Sequence, residues 1–423
     1  MEESFLHFVW KFQKFNSIDL RTKDGNPVSI FDVGQHNHDA GPDFHNARVK
    51  IDNLEWNGHV EIHIRSSDWR HHKHGNDQAY DNVVLHVVWE NDENTFRKDG
   101  TVIPTVELKN RVNPNLLENH LKFISCHQDI ACQEQLHTIP RLTWINQLDR
   151  MLALRLEQKA ERIIAIAEET NNNWEEVAYR VLARSFGFSL NSDAFERMSE
   201  SLPLKLIAKH ADQPLQVEAL LLGQSGFLEN PLDEYGEKLK SEFDFLQKKY
   251  QLNFTLHRTH WKFGKTRPSN FPTVRIAQLA AILTKNPALF STIRQARSSA
   301  DIKEMLNSQV SKYWQSHFDF GKALKKGHNQ LGNASLEVLV INAVAPTIAA
   351  FALQTDQPEL MERATTFFEQ IPAESNRYTL KWKAAGKAPK SAFDSQAMIT
   401  LYKDYCVRKK CLQCAVGTTL FNK

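Results

Sequence analysis

The sequence predicts an α+β N-terminal module, a mixed sheet with flanking helices, followed by a mainly α-helical domain. Three observations carry that expectation. Apolar and polar residues alternate between positions 47 and 64, an almost unbroken apolar run covers 83–89, and from about residue 142 the apolar spacing becomes helical. The chain has 423 residues, more than one hydrophobic core usually spans. The expected domains are 1–125 and 140–423, the second ending in a cysteine-rich C-terminus.

In the first module, residues 3–15 read as an amphipathic helix. Phe5, Phe8, Val9, Phe12 and Phe15 repeat at helical spacing, and Leu6 and Trp10 widen the face. Asp24-Gly25-Asn26-Pro27 is a turn. Ala47, Val49 and Ile51 alternate with Arg48, Lys50 and Asp52, and Val60, Ile62 and Ile64 alternate with Glu61 and His63. Both stretches predict half-buried strands, with Asp52-Asn53 as the hairpin turn. Residues 83–89 suit a central strand buried on both faces, and 102–108 suit one more. The later helices break near Asn171-Asn172-Asn173, Pro203, Pro214, Asn230-Pro231, residues 268–272 and Gly327. No period of 30 to 50 residues supports a repeat solenoid.

Composition narrows the function classes. Apolar content of 41% and charged content of 24% are ordinary for a globular protein. The 52 basic and 50 acidic residues leave a charge of +2, so nucleic-acid binding would need a local basic patch. Met1-Glu2-Glu3 lacks the apolar segment of a secretory signal, and no run is expected to approach the ~20 apolar residues that span a bilayer. Five cysteines, an odd number in a long chain, argue against a disulfide framework. The expectation is a cytoplasmic protein with no membrane partner. Gly223-Gln224-Ser225-Gly226 is too sparse for a phosphate loop, and no Walker or dinucleotide pattern occurs. Oligomeric state is not legible.

Ten of the eighteen histidines precede residue 90, among many carboxylates. One patch holds His36, His38, Asp39, Asp43 and His45. The other holds His59, Glu61, His63, Asp68, His71, His72, His74 and Asp77. Strand alternation puts Glu61 and His63 on one polar face. A turn at 52–54 returns Asp43 to their side, so Asp43, Glu61 and His63 are expected to converge.

Pro42-Asp43, followed by Glu61-Ile62-His63 across a hairpin and then the 83–89 strand, resembles the PD-(D/E)XK nuclease superfamily over roughly residues 3–110. The resemblance implies a restriction-endonuclease-like sheet and hydrolysis of nucleic-acid phosphodiesters, DNA in preference to RNA. It implies Mg²⁺ or Mn²⁺ on Asp43 and Glu61, with His63 orienting or deprotonating the attacking water. Glu3 on the leading helix would add a carboxylate. Two departures stand out. The superfamily's Lys is replaced by His63, which suits Mn²⁺ or Zn²⁺ as well as a base. Asp43 also shares parity with Ala47, Val49 and Ile51, so reaching the polar face needs a break or bulge near Pro42. Two alternatives therefore stand beside the nuclease: an inactive nucleic-acid-binding protein of the same fold, and a Zn²⁺ or Mn²⁺ hydrolase built on the histidine patch.

In the segment 66–77, Asp68, His72, His74 and Asp77 are candidates to extend a metal centre or grip a phosphate; the alternative is a helix start capped by Ser67 or Asp68. Ala40-Gly41-Pro42-Asp43-Phe44, Val60-Glu61-Ile62-His63, Ser67-Asp68-Trp69, Leu85-His86-Val87-Val88 and the final Cys-Leu-x-Cys are also similar to a bacterial family of unknown function with members of similar length. That resemblance implies no reaction.

Cys406, Cys411 and Cys414 have C-x4-C-x2-C spacing. They predict a zinc or iron–sulfur site with Cys126 as fourth ligand, Cys132 and His127 as alternatives, or else reduced thiols packed as small apolar groups. Lys262, Lys265, Arg267 and Arg275, interleaved with Trp261, Phe263 and Phe271, are candidates for nucleic-acid contact, as is the basic stretch at 321–328. The alternative is a loop whose aromatics plug the helical core while its cations face water.

Overall fold

A computed structural model describes all residues except 38, 231, 254–255, 265, 326–329 and 422–423. The expectations placed on His38, Pro231, Lys265, Lys326, Gly327 and His328 lie outside the described residues. The chain divides into two compact units. The first is Met1–Gln147 with Ala384–Lys387 and Leu401–Lys423; the second is Leu148–Lys383 with Ala388–Thr400. The cysteine-rich tail therefore belongs to the first unit, not to the helical domain expected to carry it.

The first unit begins with α1 (Glu3–Lys11), followed by β1 (Val28–Asp32), β2 (Gln35–His36), β3 (Phe44–Ile51) and β4 (Leu54–Arg65). After the short α2 (Asp68–His71) come β5 (Val83–Glu90), β6 (Thr105–Glu107) and α3 (Pro114–Ser125). The sheet order is β1-β3-β4-β5-β6, with β2 also on β3. Pairs β1/β3 and β3/β4 are antiparallel, and β4/β5 and β5/β6 are parallel, so the sheet is mixed and has helices flanking it.

Local chemistry explains these elements. The β3–β4 hairpin closes at Asp52-Asn53, with Ile51 opposite Leu54 and Asp52 in the left-handed region at φ 54°. Asp tolerates that region better than most residues. Between Phe44 and Ala47 the register shifts, and Asn46 takes φ 58°. This bulge supplies the change of face that the parity of Asp43 required, a few residues after Pro42 rather than at it. Ala47, Val49 and Ile51 are buried beneath the sheet, as alternation predicted. Gly58 is needed because a Cβ there would sit 2.4 Å from Val84 Cγ1 and 2.6 Å from the Asn82 carbonyl. Val83, Val84, Leu85, Val87 and Val88 are all buried, as befits a central strand.

The leading helix is shorter than expected. It stops at Lys11, Gln13 turns to φ 49°, and Phe12 is exposed; Phe15 instead stacks on Trp10 at 5.9 Å. The last predicted strand shrinks to Thr105–Glu107.

Among the described residues the regular elements of the second unit are helical apart from a small hairpin, His317–Asp319 with Lys322–Ala323, that alternation did not reveal. The expected break at 171–173 is present. Asn171 and Asn172 have φ near +51° and +59°, and Asn173 caps the helix Trp174–Phe186 by accepting from the Glu176 amide. Pro214 and Pro272 open helices at their first turns. One expectation fails: Asn333–Thr355 is 23 residues long, and its apolar stretch has mean hydropathy 2.0, enough by length and composition to cross a membrane. Of that stretch 78% is buried inside the protein, the burial of a core helix.

The basic aromatic loop takes its structural alternative in part. Trp261 is buried and donates to the Ser225 carbonyl, and Phe263 packs on Phe227 and Phe271. Arg275 is also buried, donating to Gln278, Asn270 and Ser335 over the Phe188 ring, so its guanidinium is not presented to a polyanion. Lys262 and Arg267 are exposed.

Candidate metal centre on the mixed sheet

Hairpin and bulge together lock Asp43 to Glu61. The Asp43 amide donates to Glu61 Oε2 at 3.1 Å, and the Ile62 amide donates to Asp43 Oδ2 at 3.0 Å. The two carboxylates thus meet where the sequence placed them. Glu3 and His7, one helical turn apart on α1, come to the same place. His7 Nε2 lies 3.3 Å from Asp43 Oδ2, and its Nδ1 is 3.3 Å from His36 Nε2.

His63 joins from beneath and is 1% exposed. Its Nδ1 is 2.8 Å from His86 Nε2 and its Nε2 is 3.1 Å from His72 Nδ1. His86, opposite Glu61 in the parallel register, is 3.1 Å from Thr95 Oγ1 through Nδ1. One of the two assignments that fill each link, and the one that leaves a nitrogen for a cation, has His86 Nδ1–H donating to Thr95 and His63 Nδ1–H donating to His86. His63 Nε2 then offers a lone pair toward His72 and Glu61.

His74 completes the cluster, with Nε2 3.3 Å from Glu61 Oε1. Its ring stacks on Tyr80 at 3.9 Å and meets Trp69 at 5.4 Å, and Trp69, Tyr80, Val83 and Ile103 form the apolar wall behind it. The ligand atoms of His63, His72 and His74 all lie within 4.8 Å of one another. Asp77 stays exposed and caps the turn at 78–80 through the Ala79 amide; it does not join the cluster by contact. Asp68 accepts from the Arg65 amide at 2.9 Å.

The electrostatics are those of like groups forced together. Burial pushes the Glu61 carboxyl up to about 9, and the charges of Asp43 and Glu3 push the same way against the Asp43 amide. Burial and Asp43 also raise Glu3. Burial drives His63 down to about 2, helped by His86, His74 and His72, and takes His86 down to about 3. His74 falls to about 4 through burial and His72, against the pull of Asp43 and Asp77. His63 Nε2 stands 3.7 Å from Glu61 Oε1, an ion-pair distance. At neutral pH those directions make it a neutral acid beside a neutral imidazole. His7 Nε2 and His74 Nε2 are close to carboxylate oxygens but misaligned, and both are buried without a hydrogen bond.

A cation answers every one of these demands: it offsets the carboxylate charges and takes the imidazole lone pairs. Asp43, Glu61, His63, His72 and His74 could hold it, with Glu3 and His7 beside them. Mixed nitrogen and oxygen donors suit Mn²⁺ or Zn²⁺ better than Mg²⁺, which prefers oxygen. Glu61 and His63 form a buried floor, while Asp43 and His72 reach the surface. Sequence reasoning missed His7 and His86. The available signals were the Glu3/His7 spacing on one helix face and a lone histidine inside an apolar strand.

Fold and site define a mixed-sheet α+β unit carrying a buried carboxylate–histidine cluster, joined to a helical region. Residues 3–377 match the family described as "Protein of unknown function (DUF2851)", and the chain belongs to that family. No curated protein and no solved structure matches the chain.

Proposed function

We propose that the protein is a metal-dependent hydrolase of nucleic-acid phosphodiesters, with its centre at Asp43 and Glu61. The observation that carries this reading is the reciprocal lock of those two carboxylates across the bulged hairpin, beside three clustered imidazoles. The strand order and the Pro42-Asp43…Glu61-x-His63 pattern support the likeness to the PD-(D/E)XK nucleases and hence the choice of substrate. Asp43 and Glu61 would hold the metal, with His63, His72 and His74 as nitrogen donors and Glu3 as an added carboxylate. When bound, the ion supplies a lowered pKa for water and compensation for charge developing on the phosphoryl group.

His63 is buried with both nitrogens engaged, which favours a ligand's place over that of the water-assisting base. His72, exposed at the mouth, is better placed to exchange protons with solvent. Lys262 and Arg267 remain candidates for contacting the substrate's backbone.

The His63–His72–His74 grouping favours one second reading, a zinc or manganese hydrolase of another substrate. The test is cleavage of single- and double-stranded DNA and RNA with Mg²⁺, Mn²⁺, Zn²⁺ or chelator, beside Glu61→Ala. Metal-dependent cleavage that the substitution abolishes is expected. Retention of nucleic acid without cleavage would favour the inactive binding protein. Neither cleavage nor retention, with metal still bound, would favour the second reading.

A further inference from the structure

Away from the sheet's histidine cluster, the first unit gathers all five cysteines of the chain, and the proposed hydrolase does not use them. Cys126 and Cys132 lie just after α3; Cys406, Cys411 and Cys414 lie in the tail, beyond the residues matched to the family. Two contacts, on either side of Cys406, fasten the tail to the earlier segment. Lys409 Nζ donates to the Cys126 carbonyl at 2.6 Å, and the Tyr402 hydroxyl donates to Asp129 Oδ1 at 2.7 Å. The tail then folds on itself through the 3-10 turn Cys411–Gln413, with the Cys414 amide donating to the Cys411 carbonyl. Gly417 permits this, since a Cβ there would meet the Cys411 carbonyl oxygen at 2.1 Å. Cys414 is buried and the other four are half-buried.

We propose that Cys132, Cys406, Cys411 and Cys414 form a four-thiolate metal centre that fastens the C-terminal tail to the 126–132 segment. In every pairing of these four, each sulfur lies within electrostatic reach of the other. On Cys132 the influence of Cys126 ranks behind those of Cys414 and Cys411, and the Cys126 thiol is 3.7 Å from Gln128 Oε1. Cys132 therefore replaces Cys126 as the ligand the sequence suggested. Burial and the neighbouring sulfurs push Cys132 up to about 12 and Cys411 up to about 11. Such thiols are poor nucleophiles, whereas a thiophilic metal displaces their protons on binding. No three of the sulfurs belong to a group within 4.8 Å of one another among the described residues. A single zinc would draw four thiolates to separations of about 3.8 Å, given Zn–S bonds of ~2.3 Å; an iron–sulfur cluster holds them farther apart.

The full chain, purified without oxygen, is assayed for zinc, iron, acid-labile sulfide and visible absorbance. About one equivalent of zinc that Glu61→Gln does not remove, or about four of iron with matching sulfide and brown colour, supports the centre and separates its two occupants. Cys132→Ser or Cys414→Ser should cut that share of the metal by about tenfold or more and lower Tm, while Cys126→Ser keeps both. If Cys132→Ser fails to fold, the wild-type content and the Cys126→Ser result decide the matter. A wild-type chain that takes up neither metal after reconstitution overturns the proposal. So does Cys132→Ser with wild-type content, or Cys126→Ser without metal.

Discussion

The two units bury charge in opposite ways. In the helical unit, the buried carboxylates Glu218 and Glu176 face complementary partners. Glu218 accepts from the Tyr235 hydroxyl at 2.8 Å and the Trp314 indole at 2.9 Å. Glu176 pairs with Arg180 and accepts from the Leu204 amide. In the sheet unit like meets like: Glu61 sits against Asp43 and Glu3, and His63 against His72, His74 and His86. Complementary burial is what folding alone selects, because an unpaired buried charge is costly. Like-with-like burial weakens the fold unless something else occupies the site, and such perturbed groups gather where function resides.

Glu61→Gln sharpens that contrast most. Cleavage should fall on the order of 10³-fold, the equivalent of several kcal/mol of transition-state stabilisation. The metal-free protein should meanwhile become more stable by about 1–2 kcal/mol in urea titrations near pH 7, because folding no longer has to place a proton on a buried carboxyl. Loss of stability together with activity would make Glu61 a structural residue. The converse case is Glu218→Ala. It should cost about 2–4 kcal/mol, because two buried donors lose their acceptor, and it should leave metal affinity unchanged.

Smaller effects test the supporting parts. Thr95→Val removes the group that sets the His86 ring and, through it, His63. Metal affinity should fall about 10–100-fold with little change in Tm; unchanged affinity would detach the Thr95–His86–His63 chain from the site. In the helical unit, burial, then the charge of Arg155, lowers Lys159 to about 7 against the pull of Glu374. Its ammonium donates to the Ile341 carbonyl and to Asn342. Between pH 7 and its unfolded value near 10.5, the unfolded chain holds a proton that the folded chain has lost, so stability rises with pH across that window. Lys159→Met should flatten the rise, as read from Tm against pH.

The sequence reading reached the hairpin, its turn and the meeting of Asp43 with Glu61, because strand parity and turn chemistry are local. Even the bulge was foreshadowed, since Asp43 stood on the wrong parity for its task. His7, His86 and Thr95 were not legible, because they reach the site through a helix packed on the sheet and a parallel strand far along the chain. The assignment of the tail to the first unit is likewise a tertiary fact. The Asn333–Thr355 helix was missed because scattered Asn and Ser residues interrupt an otherwise apolar stretch.

The central claim is that the Glu61 cluster is built for a cation. Isothermal titration of the metal-free chain with Mn²⁺, an ion that thiolates bind poorly, near neutral pH, wild type beside Glu61→Gln and Asp43→Asn, tests it most directly. The account predicts saturable binding with proton release in the wild type, lost in both variants. Wild-type binding that persists in both variants, or a wild-type chain that does not bind Mn²⁺, would contradict it.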